Sequence, residues 1–422
     1  MKENKNILIV GAGAAGLMAA YCLQANGFST TVLEAGDTIG GRIRTLHKAG
    51  YAHPVELGAE FVHGDLPVTQ ELLTASKLAY EVIAGNIYRV SHNTWSEMEE
   101  VVQGWDMLID RMKQLKQDVP LHDFLLHHFG DPGYAGLRQQ AEAFAQSFDV
   151  ADARKASVKG LLKEWDKEDH PNKKINKGYG QLMEHLAMQC RSMGGVIHTD
   201  SIVRQIKWQP GEVILTTLDQ QTYAAERVII TVSAAVLSAV HGTASIAFTP
   251  DIPAYRQAAA GIGFGNVVKI LLFFKEAFWK AAHADAAIMI TDEAVPVWWT
   301  CLPFDEPMLT GFVGGPPADK FRHKTREQVL SLALTSLSQI FGLNTGQLKD
   351  LLSDMLFIDW SEEPFTKGAY SYPMLGTGDA VRVLMTPIES TIYFAGEAIY
   401  DGDHPATVEA ALASGKRVAE AM

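Results

Sequence analysis

Ile7-Leu8-Ile9-Val10-Gly11-Ala12-Gly13-Ala14-Ala15-Gly16 is an apolar run that ends in G-x-G-x-x-G. Residues 7–10 predict a strand of a parallel sheet, buried on both faces. Gly11 permits a tight turn, Gly13 lets a pyrophosphate approach the backbone, and Gly16 lets the next helix sit close to the strand. The first N–H groups of that helix, from Ala14 and Ala15 onward, lack intrahelical partners and face the phosphates. A second apolar run, Thr30-Thr31-Val32-Leu33, ends at Glu34. Its carboxylate can accept hydrogen bonds from a ribose diol, and it follows Gly11 at close to the expected spacing of about 20 residues. Alone, the glycine pattern marks a turn. With strand, helix and acid in sequence, it predicts a bound dinucleotide. NAD and FAD both remain open on this unit.

A chain of 422 residues accommodates two or three domains. Its 47% hydrophobic and 20% charged residues suit a globular protein, and a net charge of −13 argues against nucleic-acid binding. Cys22, Cys190 and Cys301 are far apart, with no C-x-x-C pair, which argues against a disulfide framework and against a metal site. A reducing compartment, and so a cytoplasmic location, is expected. Residues 1–6 lead straight into the first strand, leaving no room for a secretion signal. No apolar stretch reaches the ~20 residues that span a bilayer. The sequence leaves the oligomeric state open.

Along the chain, residues 72–160 read as helical, with pieces at 105–115 and 141–148. Residues 163–177 are charged, contain His170-Pro171-Asn172 and read as an exposed loop. A helix follows over 180–191. Residues 196–232 read as a β meander whose last run, Val228-Ile229-Ile230-Thr231-Val232, returns to the parallel sheet. Residues 266–274 form a strand, 326–341 a helix, 392–397 a strand with a glycine turn, and 406–421 a final helix. This order predicts an α/β fold in which a Rossmann-like domain (1–79, 180–258, 363–422) interleaves with an α+β substrate-binding domain (80–179, 259–362).

Several stretches in order resemble the flavin-dependent amine oxidases, the family of monoamine oxidases, polyamine oxidases and histone lysine demethylases. They are Gly40-Gly41-Arg42-Ile43-Arg44-Thr45, Glu56-Leu57-Gly58-Ala59-Glu60-Phe61-Val62-His63-Gly64, Trp360-Ser361-Glu362-Glu363-Pro364, Gly368-Ala369-Tyr370, and Phe394-Ala395-Gly396-Glu397 continuing through Glu409 to Ser414-Gly415. The resemblance implies FAD. Gly11, Gly13, Ala14, Ala15 and Gly16 would meet its phosphates, with Gly41 and Arg42, whose guanidinium suits paired phosphate oxygens. Glu34, Ala35 and Val203 would meet the adenosine end. Gly58, Ala59, Glu60, Trp360, Gly396, Glu397, Thr407 and Val408 would meet the flavin end. The last helix would point its N-terminus at the flavin. Ala369 stands where monoamine oxidases attach flavin through cysteine, so the cofactor is expected to be noncovalent.

The same resemblance suggests the reacting groups. Lys269 stands in the otherwise apolar Val267-Val268-Lys269-Ile270-Leu271-Leu272, where an unpartnered ammonium is costly. It would act through water at flavin N5, unless strand alternation simply turns it to solvent. Tyr370 would form one wall of an aromatic cage for an amine nitrogen, with Thr407 at the opposite wall. His63, Phe61, Gln181 and Trp360 would line the pocket, His63 being equally readable as a structural histidine. Trp298 and Trp299 could line the pocket or sit in the core. A small amine and O2 are the expected reactants, an imine and H2O2 the expected chemistry, with no nucleic-acid or membrane partner. An L-amino acid oxidase, a carotenoid or porphyrinogen dehydrogenase and a noncatalytic flavin scaffold are the alternatives. A nicotinamide-only dehydrogenase leaves Arg42 and Glu397 without a role.

Overall fold

The computed structural model describes residues 6–64, 66–167 and 171–422. The expected path of residues 1–5 into the first strand, and His170 of the charged segment, lie outside the described residues. At the centre is a parallel sheet of five strands. Their spatial order is Val196–His198, Ser29–Leu33, Asn6–Val10, Arg227–Ile230 and Ile392–Phe394. Asn6–Val10 is the middle strand, which accounts for its unbroken apolar run: both faces are covered. On one face pack the helices Ala14–Ala25, Gly180–Ser192 and Val408–Glu420. The first and last of these touch so closely that a Cβ on Gly415 would lie 2.3 Å from the Ala15 carbonyl oxygen. On the other face lie the antiparallel strands Val203–Gln209, Glu212–Thr217 and Thr222–Ala225, and the helices Pro253–Ala260 and Thr377–Met385.

A second sheet has seven strands, in the order Leu352–Asp359, Val267–Phe274, Met308–Gly314, Val297–Thr300, Ala286–Ile290, Asn86–Ser91 and Thr94–Glu97. Every residue of Val267–Phe274 is buried, because the strand has neighbours on both edges and the helix Arg326–Phe341 helps back one face. Helices Trp105–Lys113, Leu121–His128, Ala135–Ser147 and Val158–Trp165 form a separate apolar cluster joined to the rest at Tyr372 and Met374. The final helix is also locked to Pro67–Ser76. The Glu409 carboxylate accepts from the backbone N–H groups of Val68 (2.9 Å) and Thr69 (2.8 Å) and from the Thr69 hydroxyl (2.7 Å). Among the described residues no helix is long and apolar enough to cross a membrane.

Two expectations need correction. Residues 72–160 are not all helical: Tyr80–Val82, Asn86–Ser91 and Thr94–Glu97 are strands. Asn86–Ser91 gains its place by parallel pairing with the distant Ala286–Ile290, a contact no local pattern reveals. Nor are residues 163–177 an exposed loop. The helix Val158–Trp165 runs into them, and Asn172–Ile175 is a strand between Val62–His63 and Tyr80–Val82 with Lys173 and Lys174 buried. Burial of Lys174 is tolerated because a carboxylate from elsewhere in the chain, Glu60, meets its ammonium.

Candidate active site

One cavity of about 2290 Å³ runs from the carboxyl ends of the parallel strands to the seven-stranded sheet and the helical cluster. It is more than twice the upper end of the roughly 300–1,000 Å³ of a usual small-molecule pocket. That leaves room for a dinucleotide and a second molecule together.

The dinucleotide end is shaped by missing side chains. Gly11 has φ +106°, and a Cβ on Gly16 would stand 2.0 Å from the Gly11 carbonyl oxygen. Gly16 is therefore a packing glycine below the cavity, whereas Gly11, Gly13, Ala14 and Ala15 line it. Gly13 pairs with Gly40, which brings the Gly40-Gly41 turn beside the first glycine loop. Glu34 is held by two backbone donors, Ala12 N–H at 2.7 Å and Gly36 N–H at 2.8 Å. Burial pushes its carboxyl above the ordinary range, and these donors pull the other way. Ala35 and Val203 line the same end. A glycine turn that brings bare backbone to the cavity wall, beside a preoriented carboxylate at the strand ends, fits a dinucleotide.

The middle of the cavity joins three separate motifs. Arg42 Nη1 donates to the Ala369 carbonyl at 2.7 Å and to Glu397 Oε1 at 2.8 Å, while Glu397 Oε2 accepts from the Ser371 hydroxyl at 2.6 Å. Sequence reasoning assigned Arg42 and Glu397 to separate parts of a cofactor; here they bind each other at the cavity wall. Gly58 is required where it stands, since a Cβ would lie 1.9 Å from the Arg42 carbonyl oxygen. Gly41, Gly58 and Ala59 line the cavity, as do Gly396, Thr407 and Val408 at the start of the last helix. The Thr407 hydroxyl accepts from Ala410 N–H at 3.2 Å and donates to the His404 carbonyl at 2.7 Å, so it caps that helix. Trp360 lies on the wall with its Nε1 donating to the Leu57 carbonyl at 3.3 Å, and the Arg44 guanidinium sits 5.2 Å from its ring.

The far wall carries the reacting-group candidates. Lys269 is buried and lines the cavity, so strand alternation does not turn it to solvent. Its Nζ donates to Glu60 Oε2 at 2.7 Å and to the Gly58 carbonyl at 3.1 Å. Lys174 Nζ meets the other oxygen of Glu60 at 2.9 Å, and Trp299 Nε1 reaches both oxygens at 3.2 Å. Burial alone would raise the Glu60 carboxyl, but the two ammoniums hold it at about 2. Tyr370 lines the cavity and donates its hydroxyl to the Phe148 carbonyl at 2.8 Å; burial raises its phenol. His63 faces the cavity with Nδ1 2.8 Å from Asn172 Oδ1, and Phe61 stands edge-on to both His63 and Trp299. Burial among protein atoms lowers His63 below the usual histidine value, opposed by the bond to Asn172.

Gln181 is a correction. It sits in the first turn of Gly180–Ser192, a helix packed against Ala14–Ala25, and is not among the residues that line the cavity. The tryptophan pair divides: Trp298 is core, bonded to Ser336, and Trp299 is cavity wall. Alternation along the strand explains the split.

Sequence reasoning missed Lys174 and Asp149. Asp149 follows the Phe148 carbonyl that anchors Tyr370, and it lines the cavity. Its Oδ2 accepts from Trp165 Nε1 at 3.0 Å, and burial pushes its carboxyl to about 7. The next residue, Val150, has φ +51°, a strained conformation for a β-branched residue and a mark of functional segments. Nothing local in Ser147-Phe148-Asp149-Val150 signals this, because the strain is imposed by packing from elsewhere: a Cβ on Gly265 would fall 2.3 Å from the Val150 carbonyl oxygen.

Comparison with known proteins agrees with this geometry. The chain is 26% identical to lysine-specific histone demethylase 1 homolog 3 of Arabidopsis thaliana over 99% of its own length, spanning 30% of that protein. It is 26% identical to polyamine oxidase 4 of Oryza sativa subsp. japonica, covering 98% of this chain and 88% of that one. Among solved structures, a putrescine oxidase matches with a TM-score of 0.83 at 22% identity, over 99% of this chain and 98% of the other. Cyclohexylamine oxidase from Brevibacterium oxydans IH-35A matches with a TM-score of 0.81 at 20% identity, over 99% of this chain and 98% of the other. The family model described as flavin containing amine oxidoreductase matches residues 14–422, and the chain belongs to that family.

Proposed function

We propose that this protein holds FAD noncovalently and oxidises the C–N bond of a small amine, with O2 as the final electron acceptor. The observation that carries the reading is the single cavity that joins the glycine cradle and Glu34 to the wall of Lys269, Glu60 and Tyr370. When bound, FAD would supply the two-electron sink for amine oxidation, with O2 as the acceptor that restores it and H2O2 as its product.

The chain's own residues bind, orient and set charge. The glycine turn and the N-terminus of Val408–Glu420 would hold the anionic parts of the cofactor, and Glu34 would hold the adenosine ribose. Ala369 brings only a methyl group to the wall, which supports noncovalent attachment. Tyr370, fixed through Phe148, presents a ring to the substrate nitrogen. The Asp149 carboxylate beside it draws an ammonium into the pocket and accepts its proton, so that the amine is neutral before its C–H bond breaks. Lys269, ion-paired with Glu60, stands on the wall formed by the seven-stranded sheet. On the helical-cluster side of the cavity acidic residues, Asp149 among them, outnumber Lys159, Lys163 and Lys167, which favours a cationic substrate over an amino acid carboxylate. Residues 1–79, 180–258 and 363–422 are proposed as the cofactor domain, and 80–179 with 259–362 as the substrate domain.

The test is aerobic turnover of purified holoprotein with primary, secondary and polyamines. The reading expects one O2 consumed, one H2O2 formed and one carbonyl product for each amine oxidised. Turnover of amino acids or polyenes, with none of any amine, would overturn it.

A further inference from the structure

Two buried ammoniums share one buried carboxylate at the wall of the cavity. Glu60 comes from the loop after Gly58, Lys269 from Val267–Phe274 and Lys174 from Asn172–Ile175. All three side chains are under a tenth exposed. With Trp299 Nε1, every position on the Glu60 carboxylate is engaged by a donor. A single lysine would suffice to pair Glu60. The second gives the group of Lys269, Glu60 and Lys174 two ammoniums for one carboxylate.

Behind the pair, other acids lie across a small chamber, but the oxygens that Lys174 meets are those of Glu60. Lys174 backs onto a water-sized chamber of about 30 Å³. Glu56, Glu306, His53, Tyr51 and Cys301 also line that chamber. Glu306 accepts from the backbone N–H groups of Ala52 and His53 and lies beside the His53 ring, which holds its carboxylate away from Lys174. Glu56 accepts from Thr45 and from Tyr179 N–H, and burial raises its carboxyl to about 7, so it is mostly neutral in mildly acidic solution. Burial lifts Tyr51 and Cys301 to about 12, which keeps both neutral.

We propose that Lys174 is a positioning residue that acts through Glu60: it takes up the carboxylate that would otherwise cancel Lys269, and so leaves a net positive charge at the cavity wall that favours the reduced flavin. The inference rests on the flavin reading of the cavity. A reduced flavin bears more negative charge than an oxidised one, so a fixed cation nearby stabilises it.

The experiment is the two-electron midpoint potential of the flavin in the holoprotein, measured spectroscopically near pH 6, where Glu56 keeps its proton. Lys174→Gln retains a donor for Glu60 but loses the charge; Lys174→Met loses both; Lys174→Arg keeps both. The expected result is a roughly tenfold shift of the equilibrium toward oxidised flavin in the Gln and Met variants, about 30 mV for a two-electron couple. The Arg variant stays at the wild-type value. If Lys174→Gln matches wild type, the role is merely to hold Glu60 and the proposal fails; it fails equally if all variants stay within twofold. Should Lys174→Met not fold, the Gln and Arg variants decide the matter. Wild-type protein that binds no flavin would sink the cofactor reading instead, a distinct outcome.

Discussion

Asp149 holds its carboxyl at about 7 chiefly because it is buried; the Trp165 indole N–H pulls it down and Glu164 adds to the rise. The unfolded value is about 3.9. Between those values the native state keeps a proton that the unfolded chain has lost. Stability therefore falls as pH rises through this window, and the full penalty remains above it. Asp149→Asn cannot ionise and escapes the penalty. In cofactor-free protein its melting temperature should gain on wild type between about pH 5 and about pH 8. A constant difference across that range would mean that Asp149 ionises as in water. The residue was illegible in the sequence, where it is one acid among many. Lys269 was legible, since an ammonium in an eight-residue apolar strand requires a partner. That partner, Glu60, could be quoted as part of a motif but not paired, because pairing is settled by the fold.

At the scale of elements, the opening strand–turn–helix unit is where local rules and tertiary demands coincide. Gly16 lies inside a helix, where alanine is ordinarily preferred, yet a Cβ there would overlap the Gly11 carbonyl oxygen and crowd Thr231. Gly16→Ala should cost roughly 1–3 kcal/mol through overpacking. It should also displace the Gly11 turn, so that flavin content falls with stability. A variant with wild-type melting temperature and full flavin content would show that the helix can shift without cost. Elements with such local signatures were readable. The helix Arg326–Phe341 begins at a Thr325 capping box and stops at Gly342 in the left-handed conformation, and its bounds follow from sequence. Asn86–Ser91 was not readable, because its reason for being a strand lies across the sheet in Ala286–Ile290. Asn172–Ile175 failed for the same reason: a run of lysines reads as solvated until Glu60 is placed beside it.

At the scale of the whole molecule, the two ends of the described chain build one site. The first strand and glycine turn, the Arg42 turn, the Ala369-Tyr370-Ser371 segment and the last helix meet around a cavity that spans both sheets. Arg42, Ala369, Ser371 and Glu397 tie them together over more than three hundred residues of chain. Motif order along the sequence foreshadowed this convergence. The role of Asp149 did not emerge from sequence, because the helical cluster that carries it has packing signals and no motif. The most direct test of the account is the visible spectrum of purified protein under anaerobic conditions as amines are added. The account predicts a yellow protein whose flavin absorbance bleaches with at least one amine class and returns when air is admitted. A yellow protein that no amine bleaches, or a folded colourless one, would contradict it.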